Sequence, residues 1–168
     1  MKGFVNNIYK VMMTAMLSIV AINGATAQEY VNTPVEISKE KVKIDGKICK
    51  NLLLTTTTGS VYYLLMISGE KKFVTKEVSK KLGTSRLSFA SAEKMRELLN
   101  TEPGSLSVTG LIFDKTKTVK LAVDRCVLDE EYVCCHPSDN SATLKIKTKD
   151  LTEKLLPSFG ADPVIIDV

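Results

Sequence analysis

Two apolar runs, Cys49 to Thr55 and Val61 to Ile67, stand either side of Thr58-Gly59-Ser60 and predict a β-hairpin, because a short polar turn between strand-length hydrophobic segments returns the chain on itself. Leu52, Leu53 and Leu54 are consecutive, so this strand is expected to be buried on both faces. The period then lengthens. Val74, Val78 and Leu82 recur at helical spacing from about Thr75, with Gly83 where a C-terminal cap belongs. Arg86 to Phe89 reads as a short strand, and Ser91 caps a second helix with Glu93 in its first turn and Met95, Leu98 and Leu99 facing inward. Beyond a loop from Glu102 to Gly110 come strands at Leu111 to Phe113 and Val119 to Asp124, joined by a turn over Asp114 to Thr118. Tyr132 to Cys135 and Ala142 to Lys147 read as two more strands, followed by a helix from Asp150 to Leu156 capped by Thr148 and a last strand from Val164 to Asp167. Hairpins mixed with scattered helices predict an α+β domain around a mixed sheet.

The amino-terminal stretch admits two readings. Phe4, Ile8, Val11, Met12, Ala15 and Met16 recur at helical spacing between polar residues, which favours an opening amphipathic helix followed by a strand over Leu17 to Ile22. Thr26-Ala27-Gln28-Glu29 has the form of a capping box. The competing reading is a secretory leader over 1–27, since Lys2 and Lys10 precede an apolar stretch and Ala25-Thr26-Ala27 is similar to a cleavage site. Folded structure is the reading preferred, and the 168 residues are expected to make one domain, with 1–46 the looser part.

Composition narrows the class. A hydrophobic share of 44% and a charged share of 25% are ordinary for a globular protein and exclude disordered and fibrous chains, and nothing suggests a membrane protein. The net charge of +4 permits an anionic partner, and Lys71, Lys72, Lys76, Lys80, Lys81 and Arg86 cluster in one stretch. Four cysteines, Cys49, Cys126, Cys134 and Cys135, show no C-x-x-C spacing and share the chain with a single histidine, so a zinc site is not expected and reduced thiols in a cytoplasmic protein fit best.

Candidate chemistry is sparse. His136 lies in a proline-closed polar turn between two apolar strands, a place where function often sits, although a lone histidine beside a turn is more often structural. Lys50 opens a very apolar strand, where its ammonium can stand over a pocket or simply reach the surface. Asn51 follows it and points to the opposite face. Gly104-Ser105-Leu106-Ser107-Val108 can turn successive backbone N–H groups toward an oxyanion. No P-loop, nucleophile elbow or zincin motif occurs, and one histidine without an elbow makes a protein-derived triad improbable. A pair of Cys49 or Cys135 with His136 remains conceivable.

Taken in order, Lys50-Asn51-Leu52-Leu53-Leu54, Leu87-Ser88-Phe89-Ala90-Ser91, Glu102-Pro103-Gly104-Ser105-Leu106-Ser107, and His136-Pro137 with Asn140, Ala142 and Thr143 closely resemble the YbaK/ProX family, free-standing relatives of the editing domain of bacterial prolyl-tRNA synthetase. The resemblance runs from about Lys47 to the C-terminus. It implies a mixed, largely antiparallel sheet curled into a barrel-like core with surrounding helices. It implies hydrolysis of the ester joining a wrong amino acid to the 3'-terminal adenosine of tRNA, most closely alanine on the tRNA for proline, with prolyl-tRNA synthetase a possible partner. Lys50 would match the lysine that engages the terminal nucleotide, and Gly104 would begin the loop whose backbone, through Ser105, Leu106, Ser107 and Val108, holds the aminoacyl end. Asn51, His136, Asn140 and Thr143 would line the pocket. The family's chemistry uses water helped by the substrate's own 2'-hydroxyl, so neither a metal nor a cofactor is implied. Two departures stand out. Val108 replaces the family's loop proline, which predicts a looser loop and, as an alternative, a catalytically weakened tRNA- or synthetase-binding relative. Asn23-Gly24-Ala25-Thr26 stands near the place of a missing His-Pro segment.

Overall fold

The computed structural model describes residues 46–168, so the expected amino-terminal helix, the strand at 17–22 and the capping box lie outside the described residues. Strands β1 (Lys47–Thr56) and β2 (Tyr62–Ser68) form the predicted hairpin, in register from Cys49 opposite Ser68 to Thr55 opposite Tyr62. All seven residues of β2 are buried, which is what a run of Tyr, Leu, Met and Ile without polar alternation requires of a central strand. Helix α1 (Thr75–Lys81) ends at Gly83, whose φ of +61° is the left-handed value that glycine accepts without strain. After β3 (Leu87–Phe89) the Ser91 hydroxyl caps α2 (Ala92–Leu99), its Oγ accepting from the Lys94 N–H at 3.2 Å.

The remaining elements are β4 (Val119–Asp124), a short α3 (Arg125–Leu128), β5 (Tyr132–Cys135), β6 (Leu144–Lys147) and β7 (Val164–Ile166). They complete a seven-stranded sheet in the order β6-β5-β1-β2-β4-β7, with β3 also on β1. The mixed α/β class is as expected, but the sheet is open, and its ladders are as often parallel as antiparallel. The β1–β5, β2–β4 and β4–β7 pairs are parallel, because each is joined by a long crossover rather than a tight turn.

Two local expectations are corrected. The strand expected at Leu111 to Phe113 is part of a 3-10 helix, Val108–Phe113: the Ser107 Oγ accepts from the Thr109 N–H at 3.4 Å, and short-range bonds such as Gly110 N–H to Ser107 O at 3.0 Å outcompete the strand tendency of Val, Ile and Phe. Thr148 is the first residue of its helix rather than its cap, and its hydroxyl donates to the Glu130 carbonyl. That helix runs as α4 (Thr148–Asp150), widens through a π turn (Leu151–Leu155) and closes as α5 (Leu156–Ser158).

On one face of the sheet Leu54, Leu65, Ile67, Leu87 and Ala122 pack with Val78 of α1. At the end of β4 the buried Asp124 receives Lys71 Nζ at 2.8 Å, tying the strand to the segment that follows β2. The pairing along β1 is interrupted where the site lies. On the edge opposite β2, β5 reaches only to Ile48 and β3 begins at Leu54, so between them the ladder opens at Lys50 and Asn51.

Candidate functional site

Three segments converge on the Asn51 face of β1. Alternation places Cys49, Asn51 and Leu53 on one face. Cys49 lies near Cys135 and Cys134 at the end of β5, and the Ser107 hydroxyl hydrogen-bonds the Cys135 thiol, so the Gly104–Val108 loop covers this side of the sheet. The loop also touches the histidine turn directly. Thr109 Oγ1 donates to the His136 carbonyl at 3.1 Å and lies 2.9 Å from Ser138 Oγ, which must then supply the proton of that second bond, since a hydroxyl has only one to give. Thr101 Oγ1 donates to the Ser138 carbonyl at 3.5 Å. A Cβ built on Gly104 would lie 3.9 Å from Asn140 Nδ2. Gly104 itself has φ +90°, a conformation closed to most side chains, which is the reason for glycine there.

His136 is half-buried, and its Nδ1 is 2.8 Å from the Ala142 carbonyl. A carbonyl only accepts, so Nδ1 carries a proton, and Nε2 is the nitrogen that accepts whenever the ring is neutral. Among the described residues no carboxylate is hydrogen-bonded to the ring. The neighbouring Asp139 is turned to the Ser141 N–H at 2.7 Å, and that hydrogen bond holds its carboxyl below the usual range.

Asn51 carries the most telling detail. Its Oδ1 is buried and has no hydrogen-bond partner among the described residues. Such an orphan costs about 1–3 kcal/mol and in a native protein marks a place where a donor belongs.

Not every predicted residue joins this group. Lys50 points to the opposite face, that of Leu52, Leu54 and its register partner Ile67; it is half-buried and has no ion pair among the described residues. Leu106 and Val108 turn into the core, Val108 with no exposure at all. The loop is therefore held by a buried valine and the Ser107 cap, at a position following extended backbone (Ser107 φ −149°, ψ 158°) that proline would also accept. Ser105 is half-buried, and its N–H donates to the Glu102 carbonyl at 2.9 Å. Thr143 is exposed, and no described contact brings it to the loops. Thr101, Thr109 and Ser138, which join the two loops, were invisible in the sequence, because a hydroxyl becomes a bridge only when distant segments meet. Two clefts, of about 220 Å3 beside Lys117 and Phe159 and about 440 Å3 beside Glu130 and Thr152, contain none of the predicted residues.

The thiols are not poised for nucleophilic work. Burial, reinforced by the neighbouring thiols, pushes Cys49 up to about 12, and burial pushes Cys135 up to about 11 despite the Ser107 hydrogen bond. Both stay neutral at physiological pH, so the conceivable Cys-His pair has no thiolate. A stability test follows. Unfolded thiols ionise near 9.0, so each buried thiol contributes stability that is complete below that pH and drains away as pH rises toward 11 or 12, by about 1.4 kcal/mol per pH unit per thiol. Denaturant unfolding between pH 8 and 10.5 should show wild type losing stability faster than Cys135→Ala; parallel curves would refute the assignment.

Fold and site together define a class: a mixed α/β domain in which a glycine loop and a histidine turn meet on the face of β1 that carries the unsatisfied Asn51 oxygen. The family model for the aminoacyl-tRNA editing domain matches residues 28–154. The chain is 34% identical over 131 residues to the prolyl-tRNA editing protein ProX of Acetoanaerobium sticklandii, covering 76% of this chain and 79% of that protein. It is 28% identical over 125 residues to the prolyl-tRNA synthetase associated domain-containing protein 1 of Danio rerio, covering 73% and 67%. A solved structure described as a trans-editing enzyme for prolyl tRNA synthetase superposes with a TM-score of 0.55 at 21% identity, over 73% of this chain and 71% of that one, which shows the shared fold. The chain belongs to the aminoacyl-tRNA editing family, the YbaK/ProX family of the sequence resemblance, and its class of function is aminoacyl-tRNA editing.

Proposed function

We propose that this protein is a trans-acting deacylase that clears a wrongly attached small amino acid, alanine first, from the tRNA for proline, and that it does so in the cytoplasm alongside prolyl-tRNA synthetase. The observation that carries this reading is the orphaned Asn51 Oδ1 at the break in the β1 ladder. An aminoacyl ester brings an α-ammonium, a donor matched to that acceptor. With the aminoacyl end seated there, the Gly104 loop offers backbone N–H groups to the carbonyl oxygen as it becomes an oxyanion. His136 and Asn140 shape the pocket, the bare Nε2 of His136 accepting from a hydroxyl of the terminal ribose or from water. Lys50, on the other side of the same break, binds the terminal nucleotide. Attack is by water, aided by the substrate's 2'-hydroxyl, in keeping with a histidine that has no carboxylate partner among the described residues and thiols that remain neutral.

Proline must be spared by shape, since one methylene of difference carries only about 1–3 kcal/mol of discrimination. The test is a deacylation panel with alanine, cysteine, serine and proline esters of the proline tRNA. The alanine ester should be cleared at least about tenfold faster than the proline ester; no hydrolysis of any ester would sink the proposal.

A further inference from the structure

Phe89 is a large apolar side chain left 60% exposed at the end of β3, and it is not alone. Its ring packs on Phe73 with centroids 5.3 Å apart and planes tilted by 58°, so one aromatic supports the other while an outer surface of Phe89 stays open. The register fixes which way it faces. Phe89 is directly opposite Leu54, and side chains paired across an antiparallel ladder share a face, which is also the face of Leu52 and Lys50. Leu54 and Leu52 themselves lie beneath Val78 of α1, so what is open on this face is the outer surface of Phe89, roughly 13 Å along the strand from Lys50. The segment that precedes Phe89 is basic, Lys72, Lys76, Lys80, Lys81 and Arg86 standing against Glu70 and Glu77 with Glu70 taken up by Lys47 at 3.4 Å. The helix that follows is balanced, Lys94 and Arg96 against Glu93 and Glu97. An open aromatic surface beside a basic segment matches a strand of nucleic acid better than a protein partner, because every base offers a face to stack and every linkage a phosphate to neutralise.

We propose that Phe89, backed by Phe73, is a stacking platform for an unpaired base in the acceptor end of the tRNA. The inference rests on the tRNA reading above, but its test does not require catalysis. Binding of full-length protein to uncharged proline tRNA is measured by anisotropy, beside the same tRNA trimmed of its unpaired 3' nucleotides. Wild type should bind the intact tRNA roughly tenfold more tightly than the trimmed one, and Phe89→Ala should bind both at the weaker level. Phe89→Trp should restore the difference. Phe89→Leu, which keeps apolar area without a π face, should behave as alanine does, with thermal unfolding confirming that each variant is folded. Intact-tRNA binding unchanged in Phe89→Ala, equal losses on both tRNAs, or a wild-type dimer that Phe89→Ala dissolves would each overturn the proposal. Because uncharged tRNA is the probe, absent deacylation would leave this result standing, and absent stacking would leave deacylation standing.

Discussion

Lys50→Ala should slow deacylation of a mischarged tRNA by at least about a hundredfold, the scale on which removal of one preorganised stabilising group acts. Lys50 opens β1, is half-buried, and spends its ammonium on no ion pair among the described residues, so its charge is available for a phosphate or for the charge that develops at the ester. The same availability makes the fold nearly indifferent to its loss. Alanine removes some stem packing and no buried partner, so the thermal midpoint should move by no more than about 4 °C. Lys50→Arg should recover only part of the activity, because a planar fork does not occupy the position of a compact ammonium. Single-turnover deacylation measured beside thermal unfolding separates the outcomes. Activity within threefold of wild type in the alanine variant would remove Lys50 from the site.

Leu54→Ala should cost about 3–4 kcal/mol of unfolding free energy, within the range seen for buried leucines that leave a cavity. Leu54 is fully buried on β1, lies opposite Tyr63 on one side and Phe89 on the other, and packs in the cluster that holds α1 to the sheet. That loss is a large part of the whole stability of a domain this size. It should appear as a lower urea midpoint with an unchanged slope. Leu52→Ala, two residues along the same face but only half-buried, should cost clearly less. A loss below 1 kcal/mol at Leu54 would mean that the site collapses around the gap or that the packing there is loose.

Much of the domain was readable because its signals are local. The Leu52-Leu53-Leu54 run marked a strand buried on both faces, Ser91 capped its helix, and Gly83 stood where the backbone turns left-handed. Misreadings came where two local tendencies compete. At Leu111 to Phe113 the side chains favour a strand, but β2 already has β1 and β4 on its two edges, and the Ser107 cap winds the segment into a 3-10 helix instead. Thr148 looked like a cap because threonine before a helix often is one; its hydroxyl instead reaches Glu130, distant in sequence.

By itself the sequence determined the kinds of group available and their order along the chain: one histidine in a turn, a lysine and an asparagine opening an apolar strand, a glycine loop between them, and no motif for a metal or a covalent triad. Tertiary structure alone decided how they combine. Strand alternation parted Lys50 from Asn51, the unequal reach of β5 and β3 opened the ladder beside them, and Thr109 drew the glycine loop onto the histidine turn. Burial left Asn51 Oδ1 without a donor among the described residues and turned the thiols into neutral packing groups. The physical reason is common to all of these: hydrogen-bond satisfaction, desolvation and facing are properties of neighbours, and neighbours far apart in the chain exist only once it has folded.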